Sequence, residues 1–274
     1  MISFDLDKDS QTRIITKMIP LFKSHFSIGK SILTLDDPKD VSDGGSDSVF
    51  KIALENNLKQ VFLVEDSLIG FFEAYKKSKN LGLQLIFGLR LSMRNSSLEE
   101  DKSSEHKIII FAKNDAGCKL LNKIYSKAFC DFGGFLDYDS LKKLWDGESL
   151  SLAVPFYDSF IHVNNFGFGN AVPMFTFAQP TFFIENNSLS FDSLLKQKVL
   201  DFISREDNKI AQYKTQEVKT IYYKNKKDAK ALMVYKIICN RSFGKNRTLE
   251  KPELPHFCSD EFSFESWKEK NVNY

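Results

Sequence analysis

Two short stretches put charged side chains where chemistry could occur: Val64-Glu65-Asp66 and Gly88-Leu89-Arg90. Carboxylates such as Glu65 can ligate a metal ion, and a guanidinium such as Arg90 can pair with a carboxylate in its place. Both stretches end predicted strands. Val61 to Val64 (VFLV) is a short apolar, β-branched run, as in a strand covered on both faces. A helix follows, with Ile69, Phe72 and Tyr75 at helical spacing and Lys76, Lys77 and Lys79 in its last turns, where cations suit the helix dipole. Leu81-Gly82 ends that helix, and LQLIFGLRL is a second strand. Two strands joined by a helix make a βαβ unit and a parallel sheet, whose functional residues sit at the carboxyl ends of the strands. Adjacent strand ends would bring Glu65 and Arg90 together as an ion pair.

The remaining elements extend that pattern. Residues 1–20 form an apolar-spaced lead-in with Ile14, Ile15, Met18 and Ile19, and Leu21 to Leu35 is strand-like. Asp36 to Gly45 is turn-rich, and Ser46 is expected to cap a helix bearing Val49, Phe50, Ala53 and Leu54. Asn95 to His106 is a polar loop before the strand Lys107–Ala112. Asn114 or Asp115 caps a helix with Leu120, Leu121, Ile124, Tyr125 and Ala128 on one face. A short helix over Asp139–Trp145 and a strand over Ser151–Pro155 come next, then a loop over Phe156–Gly169. Strand Thr181–Glu185, helix Leu194–Ile203, strand Thr215–Tyr223 and helix Asp228–Asn240 complete the series. Strands alternating with helices, without an internal repeat, favour a (β/α) barrel.

A chain of 274 residues suits one large α/β domain with a short appendix. No segment approaches the roughly 20 apolar residues of a membrane span, and the mean hydropathy of −0.28 fits a soluble globular chain. The opening MISFDLDKDS carries charges where a signal peptide has its apolar core, so no export signal and a cytoplasmic location are expected. Cys118, Cys130, Cys239 and Cys258 show no CxxC or zinc spacing and read as idle thiols in a reducing compartment.

The net charge of +2 is unevenly spread. Between Lys209 and Lys251 there are 12 Lys and Arg against 3 acids, Glu217, Asp228 and Glu250. Lys219, Lys224, Lys226, Lys227, Lys230, Arg241, Lys245 and Arg247 are the candidate nucleic-acid contacts there, because clustered cations bind phosphate backbones without reading sequence. The alternative is a solvated basic helix face.

Several stretches together resemble the PHP (polymerase and histidinol phosphatase) domain, in the form that fronts bacterial DNA polymerase III alpha subunits. Ser24-His25-Phe26-Ser27 resembles the family's HxHSxYS opening, and Leu63 to Gly70 followed by Glu73, Tyr75 and Lys76 resembles TDHGNLFG and its helix. Ile86 to Leu91 is similar to IIGCEF, and Ala112-Lys113-Asn114 with Gly117 and Leu121 to AKNxxGxxxL. Val218 to Tyr223 with Asp228-Ala229 is similar to TNDVHY and the following helix, and Phe257 to Lys268 to the segment leading out of the domain. The likeness spans about residues 20–270.

The resemblance implies a distorted (β/α)7 PHP-like, TIM-like barrel over 21–245, after a lead-in over 1–20 and before a C-terminal extension over 246–274. In the family, His, Asp and Glu at strand ends hold two or three metal ions that activate water against a phosphate ester. Here the matching positions are Leu21, Lys23, Val64, Glu65, Arg90, Thr220 and Tyr222, and Glu65 alone keeps a metal-binding group. The resemblance thus implies a metal-free pseudoenzyme, a structural or protein-interaction module of a DNA polymerase III alpha-type replication system. Its partner would be the polymerase catalytic subunit. Phe257, Phe262, Phe264 and Trp267, crowded in the exit segment, are expected either as interface anchors or folded back onto the chain's own barrel. One alternative is a phosphoesterase or 3′–5′ exonuclease whose site is rebuilt from His25, Asp43, Glu65 and His162 around a divalent metal such as Zn or Mn. The other is a DNA-binding protein using the basic segment.

Overall fold

The computed structural model describes residues 18–96, 102–205, 213–239 and 259–272. The strands are β1 (Ile19–Phe22), β2 (Gln60–Glu65), β3 (Gln84–Met93), β4 (His106–Ala112), β5 (Phe135–Leu136), β6 (Leu150–Val154), β7 (Thr181–Ile184) and β8 (Lys214–Ile221). Around them in chain order come α1 (Val49–Glu55), α2 (Phe71–Asn80), α3 (Asp115–Ser126), α4 (Tyr138–Lys143), α5 (Phe160–Phe166), α6 (Asp192–Ser204), α7 (Ala229–Cys239) and α8 (Phe264–Val272). Hydrogen bonding orders the strands β2-β1-β8-β7-β6-β4-β3-β5, and β2 also pairs with β3. Seven strands therefore close on themselves as a barrel sheet in a mixed α/β fold, with β5 appended to β3.

The sheet is not the purely parallel one that alternating strands and helices suggested. β1, β2, β6, β7 and β8 pair in parallel, but β4 runs antiparallel to both β3 and β6. The polar connection of residues 94–105 is the reason. It has no apolar face to lay on a sheet, as a crossover helix must, so the chain returns beside itself with Met93 opposite His106 and Gly88 opposite Phe111.

The chain divides into two compact units, each built from several separate stretches. One contains Gly88–Ile184 and Leu195–Glu217; the other contains Met18–Phe87, Glu185–Leu194 and the described part of Val218–Tyr274. The first has a core of Leu89, Leu91, Ile108, Ile110, Leu152 and Phe156, flanked by Phe160, Phe175, Phe182, Phe202 and Tyr213 in edge-to-face and tilted contacts. The second is built on Phe22, Leu33, Phe50, Ile52, Leu63, Ile221 and Tyr223.

Local chemistry explains where several elements begin. Ser48, not Ser46, caps α1: its Oγ accepts from the Phe50 amide at 3.2 Å while donating to the Asp36 carbonyl. Asn114 caps α3 through the Gly117 amide. Helix α5 lies where a loop was expected. Ser159 caps it and Phe160 and Ile161 bury its inner face, a short signal hidden among Phe, Asn and Gly.

Helix α2 reverses its expected orientation. Ile69, Phe72 and Tyr75 are 70%, 73% and 47% exposed, whereas Ala74 and Ser78 are buried. The approach to the rest of the unit is close: a Cβ on Gly70 would lie 2.6 Å from the Phe26 ring, and Phe71 meets Phe87 edge-on. Only small residues fit under the helix at that distance, so the bulky ones face outward.

The aromatics of the C-terminal segment are not exposed anchors. Phe262, Phe264 and Trp267 are 2%, 3% and 6% exposed. Phe264 stacks on Phe22, Phe262 on Tyr222, and Trp267 donates from Nε1 to the Met18 carbonyl. Backbone bonds from Tyr222 to Phe262 and from Phe264 to Tyr223 join the segment to the end of β8. Phe257 lies outside the described residues. Phe264→Ala is therefore expected to cost about 3–5 kcal/mol in chemical denaturation, as for a core phenylalanine. Phe72→Ala should stay within about 0.5 kcal/mol of the wild type.

Candidate functional site

The strand ends of the second unit hold a compact polar cluster. After β1, Lys23 is buried, and its Nζ lies 2.8 Å from Asp66 Oδ1, just beyond β2. Glu65, the last residue of β2, is fully buried. Its Oε1 accepts from the Ser24 amide at 2.8 Å and its Oε2 from the Ser27 hydroxyl. Ser27 Oγ in turn accepts from the Asp66 amide at 3.0 Å. Burial pushes the Glu65 carboxyl above its ordinary range, while the Lys23 charge and the bonds from Ser24 and Ser27 pull it back. Ser27 and Glu65 resemble a nucleophile and base in contact, but Ser27 is 3% exposed and its oxygen already both donates and accepts. Among the described residues, both Glu65 oxygens and the Ser27 hydroxyl are taken up within this network.

Leu21 and Val64 are core residues at the neighbouring positions. Glu65 and Arg90, expected to pair, each have other described partners. Arg90 Nη2 lies 2.5 Å from Asp158 Oδ2, a residue in the loop between β6 and α5. Sequence reasoning gave Asp158 no role; it has a left-handed backbone at φ +59, and its carbonyl accepts from the Lys107 amide.

Thr220 in β8 serves a second carboxylate that the sequence did not single out. Glu185 accepts from the Thr220 amide at 3.0 Å, the Thr220 hydroxyl at 2.8 Å and Asn187 Nδ2 at 3.0 Å. Burial raises its pKa and those three bonds oppose the rise. Tyr222 is stacked against Phe262.

The alternative metal set does not assemble around Glu65. Asp43 is exposed in its loop. His25 is half-buried with its ring against Phe26, and its Nδ1 is shielded without a hydrogen-bond partner among the described residues. His162 is a half-buried residue of α5, beside Tyr157 and Phe166. Among the described residues, no group of three or more His, Cys, Asp or Glu side chains is placed to hold a metal ion. The donor set at the strand ends does not fit one either. The Lys23 ammonium stands there, and the Glu65 oxygens already accept bonds from Ser24 and Ser27.

The basic segment is also changed by folding. Lys219, expected on a nucleic-acid face, is fully buried; it bonds the Asn186 carbonyl and Glu261. Burial and the charge of Lys270 lower its pKa to about 8, against the pull of Glu261. Burial pushes Glu261 up, but the bonds and charges of Lys270 and Lys219 outweigh it and hold the carboxyl at about 2. Lys224 pairs with Asp47 and Glu55, and Lys226 with Glu269 and Glu261. Lys227 and Lys230 are exposed; Arg241, Lys245 and Arg247 lie outside the described residues. The segment's excess charge, counted along the chain, is partly answered by acids from distant positions.

The chain matches no family model, and no curated protein is significantly similar to it.

Two outcomes test the electrostatics. Lys23→Met should destabilise the fold by on the order of 3 kcal/mol, because Glu65 stays buried without its cation; Lys23→Met/Glu65→Gln should recover part of that loss. Denaturation midpoints that do not separate the single from the double variant would show that the charges are not coupled.

The second concerns His106, buried between the Ser104 carbonyl and the Tyr138 hydroxyl. Burial lowers its pKa to about 4, with Lys107 adding to the effect and Ser104 and Glu105 opposing it. The unfolded chain therefore binds the proton more tightly. The stabilisation is complete above about pH 6.5 and falls away as the pH drops through that value toward 4, by up to about 3 kcal/mol. His106→Phe should flatten the stability profile in that window; an equally steep profile would assign the acid sensitivity elsewhere.

Proposed function

We propose that this chain is a catalytically silent PHP-like barrel module of the DNA polymerase III alpha type. It acts as a structural or protein-interaction domain beside a replicative polymerase. The observation that carries the reading is Lys23: a buried ammonium, 2.8 Å from Asp66, at a position where the resemblance implies a metal-binding histidine. A fixed internal cation balances the strand-end acids without exchangeable coordination, so the barrel keeps its polar mouth and has no group that activates water. Support also comes from the ordered likeness of segments between residues 20 and 270, and from a closed seven-strand sheet in a mixed α/β fold. The polymerase partner rests on the resemblance alone.

The purified chain should co-elute in gel filtration with the catalytic polymerase subunit encoded in the same genome. It should not hydrolyse p-nitrophenyl phosphate or a DNA 3′ end in Mn²⁺ or Zn²⁺. Metal-dependent turnover that disappears in Glu65→Gln would refute the silent site; failure to co-elute would refute the polymerase assignment.

A further inference from the structure

The first unit contains a cleft that the reading above does not use. It has a volume of about 410 Å³ and is lined by Lys102, Glu105, His106, Lys107, Asp158 and Val163. Glu105 is held by Arg94 at 2.9 Å and by Ser92, and Asp158 by Arg90 at 2.5 Å. Lys107 donates to Ser92 Oγ. Counting the lining groups with the two arginines that pair with them gives four cations, Arg90, Arg94, Lys102 and Lys107, against two carboxylates. His106 is buried and neutral at physiological pH. The acids Glu99, Glu100 and Asp101 precede Lys102 in sequence and lie outside the described residues.

Beside the cleft stands an aromatic ring. Phe168 is 99% exposed and has φ +53, a left-handed conformation that a phenylalanine adopts only where its surroundings impose it. Those surroundings are specific. The amides of Gly167 and Gly169 donate to the carbonyl of Val163, a cleft residue, and the Asn170 amide donates to Ser103, the neighbour of Lys102. Asn170 also bonds Ser103 Oγ and Asn95 Nδ2, and Asn164 bonds Ala171 through both its amide atoms. A Cβ on Gly169 would stand 2.7 Å from the Ser103 carbonyl, so this turn is pressed directly against the cleft wall. Folding alone gains nothing from holding a large apolar ring wholly in water in a strained conformation.

An exposed aromatic ring on a turn held against a cleft whose two acids are each paired with an arginine suits a nucleotide: a base stacks on the ring and its phosphate meets the ammonium groups. We propose that Phe168, with Lys102 and Lys107, forms a nucleotide-binding site, independent of the polymerase reading. The ligand chemistry is a base joined to a phosphate, supplied either by a free nucleotide or by a single strand.

Fluorescence anisotropy of labelled oligo-dT and calorimetry with AMP test this on the full chain. Binding is expected to fall at least tenfold in both Phe168→Gly and Lys102→Ala. Two phosphate contacts predict a weakening of about sevenfold for the strand between 50 and 200 mM salt. Phe168→Gly should leave Tm unchanged or higher, since glycine accepts the left-handed backbone and no buried ring is lost. Tighter oligo-dT than AMP binding identifies the single strand as the source, and equal affinity per site identifies the nucleotide. The proposal is overturned if neither probe binds, if Phe168→Gly binds like wild type, if inorganic phosphate competes as well as AMP, or if Phe168→Gly lowers Tm and so shows the ring to be structural.

Discussion

Charge taken out of water at the ends of the strands is the constraint on which the second unit depends. Glu65 and Lys23 are both buried, and an isolated ion at either place would cost several kcal/mol. The chain meets that cost with short-range geometry. Three residues after β1 supply an amide, a hydroxyl and an ammonium, and the last residue of β2 and the one after it supply the carboxylates. The Asp66 amide closes the circuit on Ser27. Both Glu65 oxygens, the Ser27 hydroxyl and the Lys23 ammonium are thus engaged with other groups of the chain.

The same principle operates around Glu185 and Lys219. Glu185 takes donors from Thr220 and Asn187, and Lys219 takes Glu261 and the Asn186 carbonyl. Glu261 also receives Lys270 of α8. These contacts and the burial of Phe262, Phe264 and Trp267 make residues 259–272 part of the second unit. Residues 259–272 pack as one wall of that unit. Apolar area decides this: three large aromatic side chains gain more by covering β1 and the end of β8 than by waiting in water for a partner.

Outward-facing apolar residues carry different information in the two units. On α2, Ile69, Phe72 and Tyr75 face water because Gly70, Ala74 and Ser78 let the helix approach closely. At Phe168 the backbone itself is held in a conformation that the side chain disfavours. The first is a packing solution with a bulky remainder; the second requires its own network of hydrogen bonds to exist.

The sequence by itself determined the elements and much of their chemistry. An apolar run with β-branched residues marked β2, strands were also expected at β4, β6, β7 and β8, and helical spacing with Asn114 as a cap marked α3. Residue type alone also excludes metal coordination at Leu21, Val64 and Arg90. Tertiary structure alone decided which groups meet. Periodicity gives the faces of a helix but not the depth at which it packs, so the buried side of α2 was not legible. The order of strands follows from connections, so the antiparallel course of β4 depended on a loop unable to cross the sheet. Ion pairs join residues distant along the chain, such as Arg90 with Asp158 and Lys224 with Glu55, and charge counted along a segment does not predict them. Electrostatic attraction acts over ångströms in space, and only the folded chain sets those distances.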